Sequence, residues 1–352
     1  MKMKSVIKNA VSLKPGWFFY KALALTVCLL LCLKFYAADK QLVTIYLQKA
    51  GTLPTLIPFN KKYEITNLRL AGYLDGTDIR YICQMVGRDY RKGYNEGALS
   101  TFELDLSDTK IVKGGEYYYY ECKTSDNTIG RYMFRDCSKL TSIILPNGIT
   151  SIGESAFRGC AGLTSITIPD KVVSIGEYAF YDCTGLTSIA ISENVTSIGN
   201  MAFHYCIGLT SVVIPDNVTS VGEAVFYNCS ALTSVAISRN ITIIPNSLFY
   251  RCAGLTSITI PDGVTAIGDW AFYGCVGLSS ITIPDNVTSI GREAFGDCVN
   301  LKEVHSCNPV PPFCTGSTFK GGSILYVPVG SAKAYKNASG WKNFENIVEK
   351  NK

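Results

Sequence analysis

Phenylalanine returns every 23 residues along the central part of this chain. Eight phenylalanines keep this spacing without one insertion: Phe134, Phe157, Phe180, Phe203, Phe226, Phe249, Phe272 and Phe295. A cysteine follows each of them after three residues, from Cys137 to Cys298, and a leucine follows each cysteine after three more. A period of 23 residues is typical of leucine-rich repeats, whose units bury their apolar faces only by stacking on one another. The spacing therefore predicts a solenoid.

The first part of each unit has the pattern of a β-strand. In LTSITIP, Leu163–Pro169, the apolar residues Ile166 and Ile168 alternate with Ser165 and Thr167, and a proline ends the run. Alternation with β-branched residues indicates a strand with one buried face. We therefore expect isoleucine to face the core, Ser and Thr to face solvent, and successive strands to form a parallel sheet.

The second part of each unit indicates how the coil closes. Glycine stands at the position of Gly176 in seven of the eight units, with Pro245 as the exception, which suggests a backbone angle that other residues would strain. An acidic residue follows in most units, such as Glu177 and Glu223, and suits the positive end of a short helical turn. The predicted fold is an α/β leucine-rich-repeat solenoid of right-handed stacked coils, with a parallel β-sheet and short helical turns, capped at both ends.

The repeated phrase resembles a known family. LTSITIPDGVTAIGDWAFYGC, Leu255–Cys275, and LSSITIPDNVTSIGREAFGDC, Leu278–Cys298, closely resemble the BspA-like leucine-rich repeats of bacterial cell surfaces. The resemblance extends from Ile129 to about Val304. Leu325–Ile347 is similar to a module that often closes such arrays, and Ile65–Ile82 to an opening segment. The resemblance implies an exported, surface-associated protein that binds host or bacterial macromolecules.

The N-terminal segment has the features of an export signal. Lysines precede the apolar run Ala22–Leu33, whose twelve residues are too few for a bilayer crossing of about 20 residues. A run of this length fits the core of a signal peptide. A retained signal anchor is the alternative, and membrane contact is expected only through this segment.

These observations divide the chain into four parts. Irregular leucine spacing before the repeats, with a helix expected at Asp78–Val86, predicts degenerate coils that cover the N-terminal end. After the repeats we expect ILYVP as the last strand, a short helix in SAKAYKNA, and an apolar stripe of Trp341, Phe344 and Ile347 at helical spacing that seals the final coil. The parts are an export signal at 1–38, an N-terminal cap at 39–128, eight repeats at 129–306 and a C-terminal capping module at 307–352.

The cysteine column is interpreted as buried thiols. Equivalent side chains of successive coils point the same way, which disfavours disulfides between neighbours even where the distance allows them. Ladder disulfides in an oxidising compartment and a metal-thiolate array are the alternatives, although no CxxC spacing or histidine partner supports a metal. Cys307 and Cys314 are stronger disulfide candidates, followed by Cys83 and Cys122.

Charge and residue inventory argue against two function classes. Six of the 33 basic residues precede Asp39, the first of 28 acidic residues, so the rest of the chain is near neutral and nucleic acid is not an expected partner. The two histidines, His204 and His305, occupy unrelated repeat positions, and no nucleophile elbow, phosphate loop or metalloprotease motif is present. We expect no enzymatic activity, no small-molecule substrate, no metal and no cofactor.

The residue after each column phenylalanine offers the sharpest candidate site. Five successive coils carry a ring there, and we call these side chains the ring row: Tyr181, His204, Tyr227, Tyr250 and Tyr273. Stacked coils would place them roughly 5 Å apart. Tyrosine suits interfaces because a rigid apolar ring carries a hydrogen-bonding tip. The alternative is that each ring only packs across the edge of the next coil.

Three functions follow from these surfaces. The first is an adhesin-like module that binds a protein or glycan on host or bacterial surfaces. The second is a structural protein of the envelope or biofilm without a foreign ligand, and the third is a carbohydrate-binding accessory protein that uses the ring row. The outward strand face is a second candidate surface, flat and nearly uncharged. Its residues are Ser165, Ser188, Ser211, Ser234, Ser257, Thr167, Ala190, Val213, Ala236 and Thr259.

Overall fold

The protein is an elongated stack of coils. The structure, a computed structural model, describes residues 42–91, 93–94, 101–319 and 322–351. There the chain winds through about 13 coils that are built mainly from parallel strands and contain few helices. The predicted leucine-rich-repeat solenoid is confirmed. The export signal predicted at 1–38 lies outside the described residues, among which no helix is both long and apolar enough to cross a membrane.

The N-terminal part of the solenoid has longer, irregular coils. Its elements are β1 (Leu42–Leu47), α1 (Leu53–Leu56), β2 (Asn67–Leu74), α2 (Gly76–Met85), β3 (Arg88–Asp89), β4 (Gly93–Tyr94), β5 (Phe102–Ile111), β6 (Gly114–Tyr119), β7 (Cys122–Thr124) and β8 (Thr128–Ile129). Parallel pairing sets Leu42 opposite Asn67, and Asn67 opposite Glu103, so these coils exceed 23 residues. The helix expected at Asp78–Val86 is present as α2, and Asp75 begins it with a capping box.

Two rows of short parallel strands run through the repeats. They are β9 (Leu140–Ile144), β10 (Ser151–Ile152), β11 (Ser165–Thr167), β12 (Ser174–Ile175), β13 (Ser188–Ala190), β14 (Ser197–Ile198), β15 (Ser211–Val213), β16 (Ser220–Val221), β17 (Ser234–Ala236), β18 (Ile243–Ile244), β19 (Ala266–Ile267), β20 (Ser280–Ile283) and β21 (Ser289–Ile290). Ser165 pairs with Ser188 and Ser151 with Ser174, which is the 23-residue register. Ile166 is buried between exposed Ser165 and Thr167, as the alternation predicts.

A column of stacked phenylalanine rings forms the centre of the core. Rings one coil apart have centroids 5.2 to 5.7 Å from each other, and all eight are buried. Phe319 continues the column beyond Phe295 at 5.2 Å. Because equivalent positions lie directly above one another, one phenylalanine per unit produces a continuous apolar stack.

The cysteine column consists of thiols, and seven of its eight members have a hydrogen-bonding role that hydrophobic burial alone does not explain. Cys183 Sγ donates to Phe157 O at 3.1 Å, and Cys206 Sγ donates to Phe180 O at 3.1 Å. The same bond, always to the carbonyl 26 residues earlier, recurs from Cys160 to Cys298. The expectation of disulfides at the candidate cysteines is wrong, because all four are thiols in the structure: Cys307, Cys314, Cys83 and Cys122.

The segment that closes each coil is a pair of β-turns, so the predicted helical turn is wrong. In the unit of Phe180, Tyr178 and Asp182 have φ angles of 55° and 58°. Each is the third residue of a hydrogen-bonded turn, the arrangement of type II turns, and helical residues have negative φ. The backbone N–H groups of these residues donate to carbonyls of the next coil, so a ladder between coils replaces bonds within a helix.

The acidic residues of these turns bind the next coil. Asn200 Nδ2 donates to Glu177 Oε1 at 3.0 Å, and the N–H of Glu223 donates to Asn200 Oδ1 at 2.9 Å. Asn246 repeats both contacts with Glu223 and Asp269. The carboxylates were expected to stabilise helix N-termini, but they belong to a side-chain ladder that connects successive coils.

The repeated glycine is required by close packing. Gly176 is not among the residues with positive φ, so the expected unusual backbone angle is wrong. A Cβ at this position would lie 2.7 Å from Glu154 N and 2.7 Å from Gly153 C, both backbone atoms of the preceding coil. The absence of a side chain allows the two coils to approach each other.

Alanine at a repeat glycine is expected to destabilise the stack. In Gly199→Ala the new Cβ would meet Glu177 N at 2.5 Å, and forcing the coils apart should cost about 1 to 3 kcal/mol of unfolding free energy. Gly263→Ala is the matched control, because its nearest atom would be 3.6 Å away. Urea unfolding followed by circular dichroism measures both variants, and equal losses would contradict the close-packing explanation.

Pro245 interrupts the second row of strands. Gly222 N donates to Ile198 O and Gly268 N donates to Ile244 O, each at about the length of a strong backbone bond. Proline at the equivalent position has no N–H to donate. The row accordingly divides into one sheet that ends at β16 and another that begins at β18.

The C-terminal part continues the sheet further than predicted. Its elements are β22 (Glu303–Ser306), β23 (Ile324–Pro328), α3 (Ala332–Asn337) and β24 (Asn346–Lys350). The segment ILYVP forms β23 and SAKAYKNA contains α3, but β24 pairs beyond β23, so ILYVP is not the last strand. Trp341 and Phe344 are buried against Phe319 at 5.0 and 5.2 Å, in a turn instead of a helical stripe, and Ile347 belongs to β24.

Candidate functional site

The ring row is a stack of parallel aromatic rings. Tyr181 and His204 have centroids 4.8 Å apart, His204 and Tyr227 4.4 Å, Tyr227 and Tyr250 4.4 Å, and Tyr250 and Tyr273 5.0 Å. The angles between successive planes are 4° to 13°. The structure thus brings all five predicted residues together. It also shows the packing across neighbouring coils that was the alternative interpretation.

Both ends of the ring row are covered. The Arg158 guanidinium lies 4.6 Å from the Tyr181 centroid, a cation–π contact that closes one end. At the other end Tyr273 packs against Gly296, where an added Cβ would lie 2.8 Å from Tyr273 Cδ2. Every ring face is therefore in contact with protein, and the ring edges and hydroxyls are what remains toward solvent.

His204 is the most enclosed member of the row. Its side chain is flanked by Tyr181 and Tyr227 and the residue is 9% exposed. Its Nδ1 has no hydrogen-bond partner among the described residues. Burial lowers the pKa of His204 to about 4, because the imidazolium would lose its hydration there. The ring is therefore neutral at pH 7.

Aromatic residues beside the row extend the surface. Tyr205 lies 4.8 Å from His204 and is 39% exposed, and Tyr178 lies 5.9 Å from Tyr181. The guanidinium carbon of Arg292 lies 4.2 Å from the Trp270 ring centroid, in a cation–π contact. The sequence interpretation missed these residues because it followed one repeat column, whereas they occupy the flanking columns of the same turns.

The turn face, which we define as the surface formed by the closing turns of five coils, has a distinctive composition. Besides the ring row it carries Tyr178, Tyr205, Arg251 and Trp270, and it contains no lysine. Arg251 lies 5.5 Å from the Tyr250 centroid. The turns are residues 177–183, 200–206, 223–229, 246–252 and 269–275.

The outward strand face is different. The serine and threonine side chains of β11 are exposed, and the same positions are exposed in β13, β15 and β17. Val213 is the large apolar residue of this surface, at 61% exposed. None of the ten predicted residues on this face is aromatic, so it lacks the rigid rings that concentrate binding energy.

A second group of polar residues lies around His305, near the C-terminal end of the solenoid. His305 stacks on Tyr326 at 4.5 Å and contacts Glu303 at 3.2 Å, far along the chain from His204. A surface depression of about 220 Å³ lies beside this pair and includes Thr282 and Lys350 in its lining. In the described ranges, no three His, Cys, Asp or Glu side chains converge as metal ligands would.

The sequence matches the family profile described as BspA type Leucine rich repeat region, in six copies over residues 115–233 and 219–331. The chain belongs to this family. The BspA-type repeats thus account for more than half of the chain, and they include the whole ring row. No curated protein matches this BspA-type chain.

Bacterial leucine-rich repeat proteins are among the solved structures to which this chain is similar. A T. pallidum leucine-rich repeat protein shares 30% identity over 49% of this chain and 82% of its own, with a TM-score of 0.46. A leucine-rich repeat protein of Bacteroides ovatus shares 21% sequence identity with this chain. The match covers 75% of this chain and 72% of the other, with a TM-score of 0.41. A leucine rich cell surface protein of Faecalibacterium prausnitzii shares 25% sequence identity with this chain. The match covers 75% of this chain and 82% of the other, with a TM-score of 0.35.

Proposed function

We propose that this BspA-type protein is an exported surface protein that binds a protein partner through the turn face. The observation that carries the proposal is the group of six tyrosines on that face, which also carries Trp270 and Arg251 and contains no lysine. Protein interfaces concentrate their binding energy in these three residue types and are depleted in lysine. The ring row forms a preorganised part of the binding surface, because side chains that are already stacked lose little conformational freedom when a partner binds.

The stacking favours a protein partner over a glycan. A sugar ring that packs on an aromatic residue needs an open ring face, and the ring row has each face covered by a neighbouring ring, by Arg158 or by Gly296. Ring edges, hydroxyls and the exposed Tyr205 side chain remain available. Such groups fit the side chains and backbone of a protein surface.

Surface placement rests on two supports. One similar protein of solved structure is named as a leucine rich cell surface protein of Faecalibacterium prausnitzii. The other is the apolar run Ala22–Leu33 after several lysines, which fits a signal-peptide core. Fractionation of the native host, with antibody detection on intact cells, tests the placement, and confinement to the cytoplasm would contradict it.

The binding test uses variants that leave the stack intact. The full-length protein is assayed by surface plasmon resonance against matrix proteins, epithelial surface proteins and glycans. Tyr205→Ala should weaken binding to the protein partner about tenfold or more, because an exposed interface tyrosine is removed while the ring row stays in place. Replacing the four tyrosines of the ring row by phenylalanine keeps the stack and should weaken binding through loss of the hydroxyls.

Val213→Ala on the strand face is the matched control, and its affinity should equal that of the unmodified protein. If Tyr205→Ala and the phenylalanine variant bind normally, the turn face is not the site. Binding to glycans alone would support the carbohydrate-binding alternative. Concentration-dependent assembly without any ligand would support the scaffold alternative.

A further inference from the structure

A loop of the C-terminal part presents two large apolar side chains to solvent. The loop consists of residues 307–314, with the sequence CNPVPPFC, and in it Val310 is 68% and Phe313 is 72% exposed. The eight phenylalanines of the column are all buried, so the exposure of Phe313 is not a property of the repeat. Apolar side chains that remain exposed together mark an interaction surface.

Hydrogen bonds hold this loop in one conformation. Tyr335 Oη donates to Asn308 O at 2.6 Å, and Trp341 Nε1 donates to Pro312 O at 2.7 Å. Both the N–H and the carbonyl of Phe313 bond to backbone groups of the second strand row, each at 2.8 Å. Three prolines further restrict the backbone of the loop. The loop therefore needs little ordering before it binds.

Phe313 also extends the outward face of the second strand row. It pairs with Ser289, and the same register continues to Ala266 and Ile243, so these side chains share one face of the sheet. Ile243 is 53% exposed. The coils before Pro245 have serine at the equivalent positions, which are Ser151, Ser174, Ser197 and Ser220. The apolar character of this face is thus confined to the C-terminal side of Pro245.

The same part of the chain carries an excess of positive charge. Residues 307–352 contain six lysines and two glutamates, whereas residues 39–306 contain 21 basic and 26 acidic residues. Lys333 and Lys336 lie on α3, which also carries Tyr335, and Lys342 follows Trp341, so three lysines are on the segments that hold the loop. None of the three forms an ion pair with a residue that the structure describes.

Exposed apolar side chains beside lysines fit a lipid surface better than a protein surface. Lysine is depleted in protein interfaces, whereas anionic headgroups attract each lysine that lies near a membrane surface. An aromatic ring is favoured at the level of the headgroups, and the stem of a lysine can lie along apolar surface while its ammonium group stays in water.

We propose that this loop and the three lysines bind the surface of an anionic lipid membrane. The contact lies outside the turn face and is separate from the N-terminal segment. Two inserted apolar side chains bind weakly by themselves, and the attraction between lysines and headgroups adds to them. The binding is therefore reversible and becomes weaker as salt screens the charges.

Vesicle sedimentation tests the role of the loop. Every sample of the full-length protein carries Leu30→Glu and Leu31→Glu, because charges in the apolar run keep it from entering the vesicles by itself. The vesicles contain phosphatidylcholine and phosphatidylglycerol. Phe313→Ser should weaken binding about tenfold or more, because the ring supplies most of the inserted apolar area. Val213→Ser removes a similarly exposed side chain from the strand face and should leave binding unchanged.

The role of charge is measured in the same assay. Replacing Lys333, Lys336 and Lys342 by glutamine should weaken binding about twentyfold or more. Lys171→Gln changes an exposed lysine of the repeats and should have no effect. Equal binding to these vesicles and to vesicles of phosphatidylcholine alone would overturn the proposal, as would normal binding of either Phe313→Ser or the lysine variant.

Fluorescence tests whether the loop enters the lipid. Phe313→Trp should add an emission that shifts to shorter wavelength on binding and is quenched by brominated lipids, whereas Val213→Trp should add one that does neither. Absence of quenching in Phe313→Trp would overturn the proposal. Self-association that Phe313→Ser abolishes, without sedimentation on vesicles, would identify the loop as a contact between copies and would overturn it too.

Discussion

Phe203→Ala is expected to lower the free energy of unfolding by about 3 to 5 kcal/mol. Phe203 is 0% exposed and stacks between Phe180 at 5.2 Å and Phe226 at 5.6 Å. Removing the ring from the middle of the column leaves a cavity with apolar walls in two adjoining coils. In a stack whose stability depends on neighbour contacts, this loss weakens the connection between the two parts of the array.

Chemical unfolding monitored by circular dichroism and by tyrosine fluorescence measures the effect. Phe313→Ala provides a matched control, since Phe313 is 72% exposed and its loss should change stability by less than about 0.5 kcal/mol. A similar cost in the two variants would mean that the phenylalanine column is not the centre of the core. Two separate transitions in Phe203→Ala would indicate that the halves of the array unfold independently.

Acidification is expected to destabilise the protein through His204. Its pKa is about 4 in the folded state against about 6.5 in an unfolded chain, so between these values the unfolded state binds more protons. The contribution of neutral His204 is complete above pH 6.5 and is lost as the pH falls toward 4. The loss should reach about 2 to 3 kcal/mol at pH 4.5.

His204→Tyr isolates this contribution. Tyrosine occupies the same column in neighbouring coils, so the ring row should accept it, and the variant should lose less stability than the unmodified protein between pH 7.5 and pH 4.5. Identical pH profiles for His204→Tyr and the unmodified protein would contradict the buried, neutral imidazole.

Repeat columns were predictable from the sequence because of a simple geometric fact. Once units of equal length stack, residues of equal phase become neighbours, whatever the exact path of the chain. The phenylalanine column and the ring row follow from spacing alone, and both are present as stacked rings. The same reasoning predicted the alternation of Ile166 with Ser165 and Thr167.

The local backbone was less predictable. The turns that contain Ala and Phe follow an acidic residue, and their composition suits a helix. Nothing in the sequence indicates that Tyr178 and Asp182 have positive φ angles. Gly176 was correctly identified as special, but the reason is a neighbour in the preceding coil. A single unit cannot reveal such contacts, since they exist only after stacking.

Parts of the irregular flanks escaped prediction for another reason. Without a constant period, no residue identifies its neighbour, so spacing could not have placed Cys83 beside Met133. β24 was missed because Trp341, Phe344 and Ile347 fit a helical spacing equally well. Docking of each flank on the regular coil beside it decides both cases.

Because Pro245 has no backbone N–H, the stiffness of the solenoid is uneven along its length. One sheet ends at β16 and the next begins at β18, while the turn ladder continues across the gap, as in the bond from Phe226 N to Leu248 O. At this level the side of the solenoid that carries the second strand row therefore has fewer backbone hydrogen bonds between coils than the side that carries the turns. Under a bending or pulling load the second strand row should separate first at this level, whereas the first row is divided at other levels, after β13 and after β17.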